Sequence, residues 1–242
     1  MKQIEEVFQL EIRGQQIPAR IIRERRHSVR ASVGKDSVIL RMPILMPLET
    51  QQKHIAWFKN WLEKKALKYP DILFRFETKV YQDGDILKVG KRQYILKINH
   101  FDKNSSSGKL KNNEITLQLS SQADTDTIPS LLSRLIAKDF SSEIMQRVQE
   151  LNEQHFQQKF HKIALKHNQS NWGSCSNKGN INLSTRLLFA PDEVRDYVII
   201  HELAHLIEHN HSTRFWKLVA TAMPDYRIQE KWLRENAHLC RF

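Results

Sequence analysis

The apolar positions of this chain change period several times. Between residues 5 and 45 the alternation through Val7, Gln9 and Glu11, and then the run Val38-Ile39-Leu40, suggests short strands. From Glu49 to Lys68 the apolar residues Ile55, Phe58, Leu62 and Ala66 recur at helical spacing. Residues 85–120 return to strands, with Ile86-Leu87-Lys88-Val89, a turn at Gly90 and a second run from Tyr94 to Ile98. The segment Asn104-Ser-Ser-Ser-Gly108 reads as a flexible loop. A long helix is predicted from Ile128 to Gln157. Strands follow over 160–187, with Ser176 to Asn180 as a hairpin turn, and the remainder is mostly helical. No internal repeat is visible. The pattern predicts an α+β protein with a strand-rich N-terminal region carrying one helix (1–125) and a second region over 126–242.

The second region holds the informative pentapeptide, His201-Glu202-Leu203-Ala204-His205. Pro191, Asp192 and Glu193 mark a helix start, with acidic side chains near the positive end of the macrodipole. Two histidines four apart on that helix share a face and can grip one Zn²⁺ at roughly 2.0–2.1 Å each. Glu202 follows the first histidine and points beside the ion, where a general base takes a proton from water. Apolar Val194, Tyr197, Val198, Ile199, Ile200, Leu203 and Leu206 surround the motif. A charged Glu202 among them is costly to bury without compensation, which a divalent cation would supply.

A catalytic zinc usually takes three protein ligands and leaves one position open. His209 lies four residues beyond His205, but three ligands on one straight helix span about 12 Å and cannot reach one ion. His211 reaches it if the helix ends and the chain folds back, and Asn210 suits a left-handed turn there. The spacing therefore favours His211 over His209. A distant carboxylate, Asp225 or Glu230, is the other alternative.

His201-Glu-Leu-Ala-His205, Asn210-His211-Ser212 and Phe215-Trp216 resemble the YgjP-like metallopeptidase family, relatives of the SprT-like and WLM zinc proteases. The resemblance includes Trp172-Gly173-Ser174-Cys175-Ser176, Gly179-Asn180-Ile181, Leu187, Met223-Pro224-Asp225-Tyr226 and Trp232-Leu233. It covers about residues 160–240; over 1–110 it is looser, resting on Arg25-Arg26 and Met42-Pro43. It implies a zincin-like catalytic domain, zinc ligands at His201, His205 and His211, and a catalytic Glu202. Metzincin proteases share the histidine spacing but carry Gly where this chain has Glu208, which argues against that group. Met223 is read as core packing.

Composition narrows the setting. Residues 1–6 form no apolar signal region, and no apolar run approaches the roughly 18–20 residues of a membrane helix. Cys175 and Cys240 are too few for a disulfide framework, so reduced thiols and a cytoplasmic location are expected. Cys175 is read as a small packing residue, with an approach to the metal as the alternative.

Lys and Arg number 38 against 27 Asp and Glu, giving +11. Seven basic residues (Arg13, Arg20, Arg23, Arg25, Arg26, Arg30 and Lys35) lie between positions 13 and 35, with Glu24 as the one acid. Such a segment can meet nucleic acid or nucleotide, although it lacks interleaved aromatics. The hairpin before the metal helix, with Trp172, Gly173 and Asn182, either lines a groove for an extended substrate or only packs on the helix.

The expected activity is zinc-dependent peptide hydrolysis with Glu202 as general base. Tyr226, Tyr197, Arg186 and His167 are candidates to stabilise the oxyanion. The alternatives are a metal-dependent nucleotide phosphohydrolase, such as a nucleoside triphosphate pyrophosphatase, and a non-catalytic zinc-containing nucleic-acid-binding protein.

Overall fold

Tight two-residue turns build both large sheets. Strand β1 (Ile4–Ile12) meets β2 (Gln15–Glu24) antiparallel through Arg13 and Gly14, at φ 53° and 80°. Two positive φ angles in a two-residue loop are the type I′ turn, whose twist matches the strands. Strand β4 (Val38–Pro43) pairs parallel with β2, and β3 (Arg30–Val33) pairs antiparallel with β4, giving the order β1-β2-β4-β3. Helix α1 (Leu48–Lys68) then buries Phe58, Leu62 and Ala66. They share a core with Ile12, Ile17, Ala19, Ile21, Val38, Leu40 and Met42. A short helix, α2 (Asp71–Phe74), follows.

The computed structural model describes residues 3–34, 36–69, 71–74, 76, 79–102, 104–168 and 171–242. Lys35 of the basic segment lies outside the described residues. The chain forms two compact units, residues 1–78 with 234–238, and residues 79–233 with 239–242.

The second unit begins with β5 (Ile86–Val89), β6 (Arg92–Phe101), β7 (Ser107–Lys111) and β8 (Glu114–Ser120), in the order β5-β6-β8-β7. Its pairings are antiparallel, parallel and antiparallel, as in the first sheet. Each four-stranded sheet leads into a long helix, α1 in one unit and α3 (Thr127–His155) in the other. The sequence shows no repeat, yet the topology repeats. Sheet order depends on alternation and turn chemistry, which quite different side chains can satisfy. The expected loop at 104–108 is shorter than predicted. Ser107 and Gly108 pair with Gln118 and Leu117, and Ser106 Oγ accepts from the Ser120 amide at 2.9 Å.

Helix α3 buries Leu132, Ile136, Phe140, Ile144, Val148 and Leu151 along one stripe. The stripe joins Leu87, Val89, Tyr94, Leu96, Ile115, Leu117 and Leu119 of the sheet in one core. Periodicity locates such elements but does not say which core their apolar faces join. The sheet at 86–120, grouped by sequence with the N-terminal region, shares its core with the C-terminal helices. Three shorter strands follow, β9 (Lys162–Lys166), β10 (Gly173–Cys175) and β11 (Asn180–Ser184). Strand β11 is central, parallel to β9 and antiparallel to β10, which leaves β10 at an edge. A 3-10 turn (Thr185–Phe189) leads to α4 (Asp192–Ala204), α5 (Thr213–Ala222) and α6 (Tyr226–Asn236). Among the described residues no helix is long and apolar enough to cross a membrane.

Arg20, Arg23 and Arg26 of the basic segment are paired within their own unit. Arg20 bonds Glu5 at 3.2 Å and Ser37 at 2.7 Å, and Arg23 bonds Glu6 at 2.6 Å and Gln51 at 2.8 Å. Arg26 and Arg41 share the Glu24 carboxylate.

The ring of Phe140, 2% exposed, lies in the second core with the Arg92 guanidinium 4.1 Å above its face. Phe140→Ala is expected to lower the unfolding free energy by about 3–5 kcal/mol, through lost burial and a residual cavity. Urea unfolding checks this, with a loss under about 1 kcal/mol arguing against a tightly packed site.

Candidate metal centre

Helix α4 enters the core between established supports. It packs against α3, β10, β11 and α5. Arg147 on α3 holds Asp196 on α4 through two bonds, Nε to Oδ1 at 2.9 Å and Nη2 to Oδ2 at 2.7 Å. A bidentate fork fixes direction as well as distance.

The helix stops where the site needs it to. Ala204 is its last residue, and His205 is its C-cap at φ −67°. The amides of Leu206, Ile207 and Glu208 turn back to the carbonyls of Leu203 and Ala204 at 3.0–3.1 Å. The chain thus leaves the helix before His211, as the spacing required. The expected left-handed residue at Asn210 is absent, since the positive-φ residues among those described lie elsewhere. Asn210 contributes its carbonyl instead, accepting the Ser212 amide at 2.7 Å. Ser212 then caps α5, its hydroxyl accepting the Phe215 amide at 3.3 Å. These bonds turn the chain without the backbone strain that a non-glycine residue meets at positive φ.

One donor nitrogen from each of His201, His205 and His211 lies within 4.8 Å of the others. The Nε2 atoms of His201 and His211 are 3.0 Å apart. Two ligands of a tetrahedral zinc at roughly 2.0–2.1 Å lie about 3.3 Å from each other. Lone pairs facing at such a distance need a shared proton or a shared cation. The His205 Nδ1 faces the Glu208 carbonyl at 3.1 Å, which leaves Nε2 for the centre. Phe215, fully buried, lies under all three rings at 4.8, 4.5 and 4.8 Å between centroids. Trp216 stacks on His211 at 5.8 Å and on Tyr226 at 5.4 Å, and Tyr226 stacks on Tyr197 at 6.2 Å.

Burial sets the electrostatics. The His201 imidazolium is disfavoured first by desolvation and then by its two histidine neighbours, which brings its pKa down to about 3. Desolvation also lowers His205. Neutral rings are the form that binds a metal. Glu202 is 4% exposed, and burial pushes its carboxyl up to about 8. Its Oε2 is buried without a hydrogen-bond partner. A buried carboxylate in that position calls for a nearby cation or a bound proton. The donor set and the orphaned oxygen together fit a divalent metal.

Other sequence candidates fall into place around this centre. His209 is exposed and outside the convergent group, as are Asp225 and Glu230. Asp225 accepts from Gln229 at 3.3 Å. Tyr197 and Tyr226 belong to the aromatic stack beside His201. Arg186 donates to the Cys240 carbonyl at 2.7 Å and lies over the Trp172 ring at 4.4 Å. His167 rests against Phe242. Met223 caps α5 and packs on the core. Cys175 is half-buried, and burial, then the Glu202 charge, push its thiol up to about 11. Phe215 as a floor under three imidazoles escaped the sequence reading. Its signal was an apolar residue at the third position after a serine cap, with Val219 one turn on.

Three imidazole donors beside a buried glutamate are the ingredients of a metal-dependent hydrolase centre. The chain belongs to the YgjP-like metallopeptidase domain family, whose model matches residues 27–236. It is a metallopeptidase-family protein, and membership implies a divalent metal and a peptide or protein substrate. Among solved structures it is similar to the metallopeptidase zymogen abylysin of Pyrococcus abyssi, at 26% identity and a TM-score of 0.34. That match covers 38% of this chain and 97% of the other. It is also similar to the zymogen jannalysin of Methanocaldococcus jannaschii, at 18% identity and a TM-score of 0.32, covering 36% and 93%. No curated protein matches the chain.

The raised Glu202 carboxyl makes metal-free stability depend on pH. From its ordinary 4.5 up to about 8 the folded protein holds a proton that the unfolded chain has released. Stability therefore falls as pH rises through that window. His201 acts oppositely, losing stability as pH falls below its ordinary 6.5 because only the unfolded chain takes up the proton. In metal-stripped protein the melting temperature is expected to decline from pH 6.5 to pH 8, and Glu202→Gln is expected to flatten that decline. Scanning calorimetry in chelator checks both, and an unchanged slope in the mutant would place the titration elsewhere.

Proposed function

We propose that this chain is a zinc metallopeptidase in which His201, His205 and His211 hold the ion and Glu202 is the general base. The observation that carries the reading is the Glu202 carboxylate, buried with an unpartnered oxygen beside three convergent imidazoles. Bound zinc supplies Lewis acidity, polarising a carbonyl and acidifying water. Glu202 accepts the proton of the attacking water and passes it to the leaving amine. Phe215 and Trp216 exclude water from the far side of the imidazoles. Tyr197 and Tyr226, in the stack beside His201, are better placed than Arg186 to donate to an oxyanion, because Arg186 is committed to the Cys240 carbonyl. The catalytic chemistry resides in residues 126–242, and two free cysteines suit a reducing compartment such as the cytoplasm.

A nucleotide or nucleic-acid role would draw on the basic segment. The ion pairs of Arg20, Arg23 and Arg26 with Glu5, Glu6 and Glu24 use three of its charges internally. Peptide hydrolysis is therefore favoured.

Elemental analysis is expected to find close to one zinc per chain. His211→Ala should bind it much more weakly and His209→Ala should not, and the reverse result would overturn the ligand assignment.

Glu202→Gln keeps size and shape but cannot accept the proton. It is expected to retain zinc while casein hydrolysis falls about 10²–10⁴-fold. Full activity in this variant would sink the mechanism. Loss of zinc would make Glu202 a support of the metal instead.

A further inference from the structure

The Glu202 carboxylate lies against the backbone of the edge strand β10, at Gly173. A methyl group added to Gly173 would meet Glu202 Oε1 at 2.5 Å, Cγ at 2.7 Å and Cδ at 2.8 Å. Such distances are far inside van der Waals contact, so one partner would have to move. The strand is poorly able to. The Trp172 carbonyl accepts the Ser184 amide at 2.8 Å, and the Gly173 carbonyl accepts from Asn171 Nδ2 at 3.0 Å. Trp172 is further held beneath the Arg186 guanidinium. Gly173 and Cys175 pair with Leu183 and Ile181, both buried, so all four side-chain directions share one face of the hairpin. On that face a glycine stands where any side chain would occupy the space of the carboxylate.

We infer that Gly173 is a positioning residue, whose missing side chain forms the seat that holds Glu202 at the metal centre. This rests on the proposed role of Glu202 and extends it to the hairpin. The glycine is not required by backbone conformation, because Gly173 is not among the residues at positive φ. Alanine at such a strand position ordinarily stabilises by restricting the unfolded chain. A destabilising Gly173→Ala would therefore report the collision and not the backbone.

The test compares Gly173→Ala in two backgrounds, the unaltered chain and Glu202→Ala, by the melting temperature of metal-free protein. Gly173→Ala is expected to lower it in the unaltered chain and to leave it unchanged or raise it in Glu202→Ala. The zinc-loaded Gly173→Ala protein is expected to keep one zinc and to lose kcat on casein on the order of 10²-fold, with KM little changed. Equal thermal shifts in both backgrounds, loss of zinc, or an unchanged kcat would overturn the seat. If the unaltered protein fails to cleave casein, the peptidase reading fails, and the thermal comparison still decides the role of Gly173.

Discussion

A carboxylate taken out of water without a hydrogen-bond partner is one of the least favourable arrangements a folded chain can hold. Glu202 is in that position, and much of its surroundings is organised around it. The strand beside it carries glycine, so that its side chain fits. The charged forms of the histidines on either side of it are disfavoured by the same burial. A cation at the three imidazoles resolves all these tensions together. It needs neutral donors, and it attracts a carboxylate that otherwise stays protonated.

Holding that arrangement requires a helix fixed in place and ended at a set residue. The α3 stripe and its Arg147 fork onto Asp196 fix α4 from one side, and the β10–β11 hairpin meets it from another. The end is made by a tight return of amides onto Leu203 and Ala204, followed at once by the Ser212 cap of α5. Between these two devices the chain brings His211 back to His201. Phe215, one turn into α5, then fills the space beneath the rings.

The two four-stranded sheets show how far architecture can be hidden. Their strand orders and directions match, and each leads into a long helix, with no similarity visible along the sequence. Three hairpins use two-residue turns with different residues: Arg13-Gly14, Gly90-Lys91 and Asn112-Asn113. What they share is positive φ at the first turn position, which glycine and asparagine reach easily and arginine reaches at some cost.

Local chemistry was legible in the sequence alone. Helical spacing placed α1 and α3 within one or two residues of their ends, because a one-sided apolar stripe has a definite period. Positions 201 and 205 had to share a face, and His211 could join them only if the helix stopped. Three matters were decided by tertiary structure. Which core the sheet at 86–120 joins depends on packing between elements distant in the chain. How the chain turns between His205 and His211 depended on backbone hydrogen bonds and not on a left-handed asparagine. Why position 173 is glycine emerged only when β10 was laid against Glu202. Spacing along a chain fixes directions within one element, but distances between elements arise only when their surfaces meet.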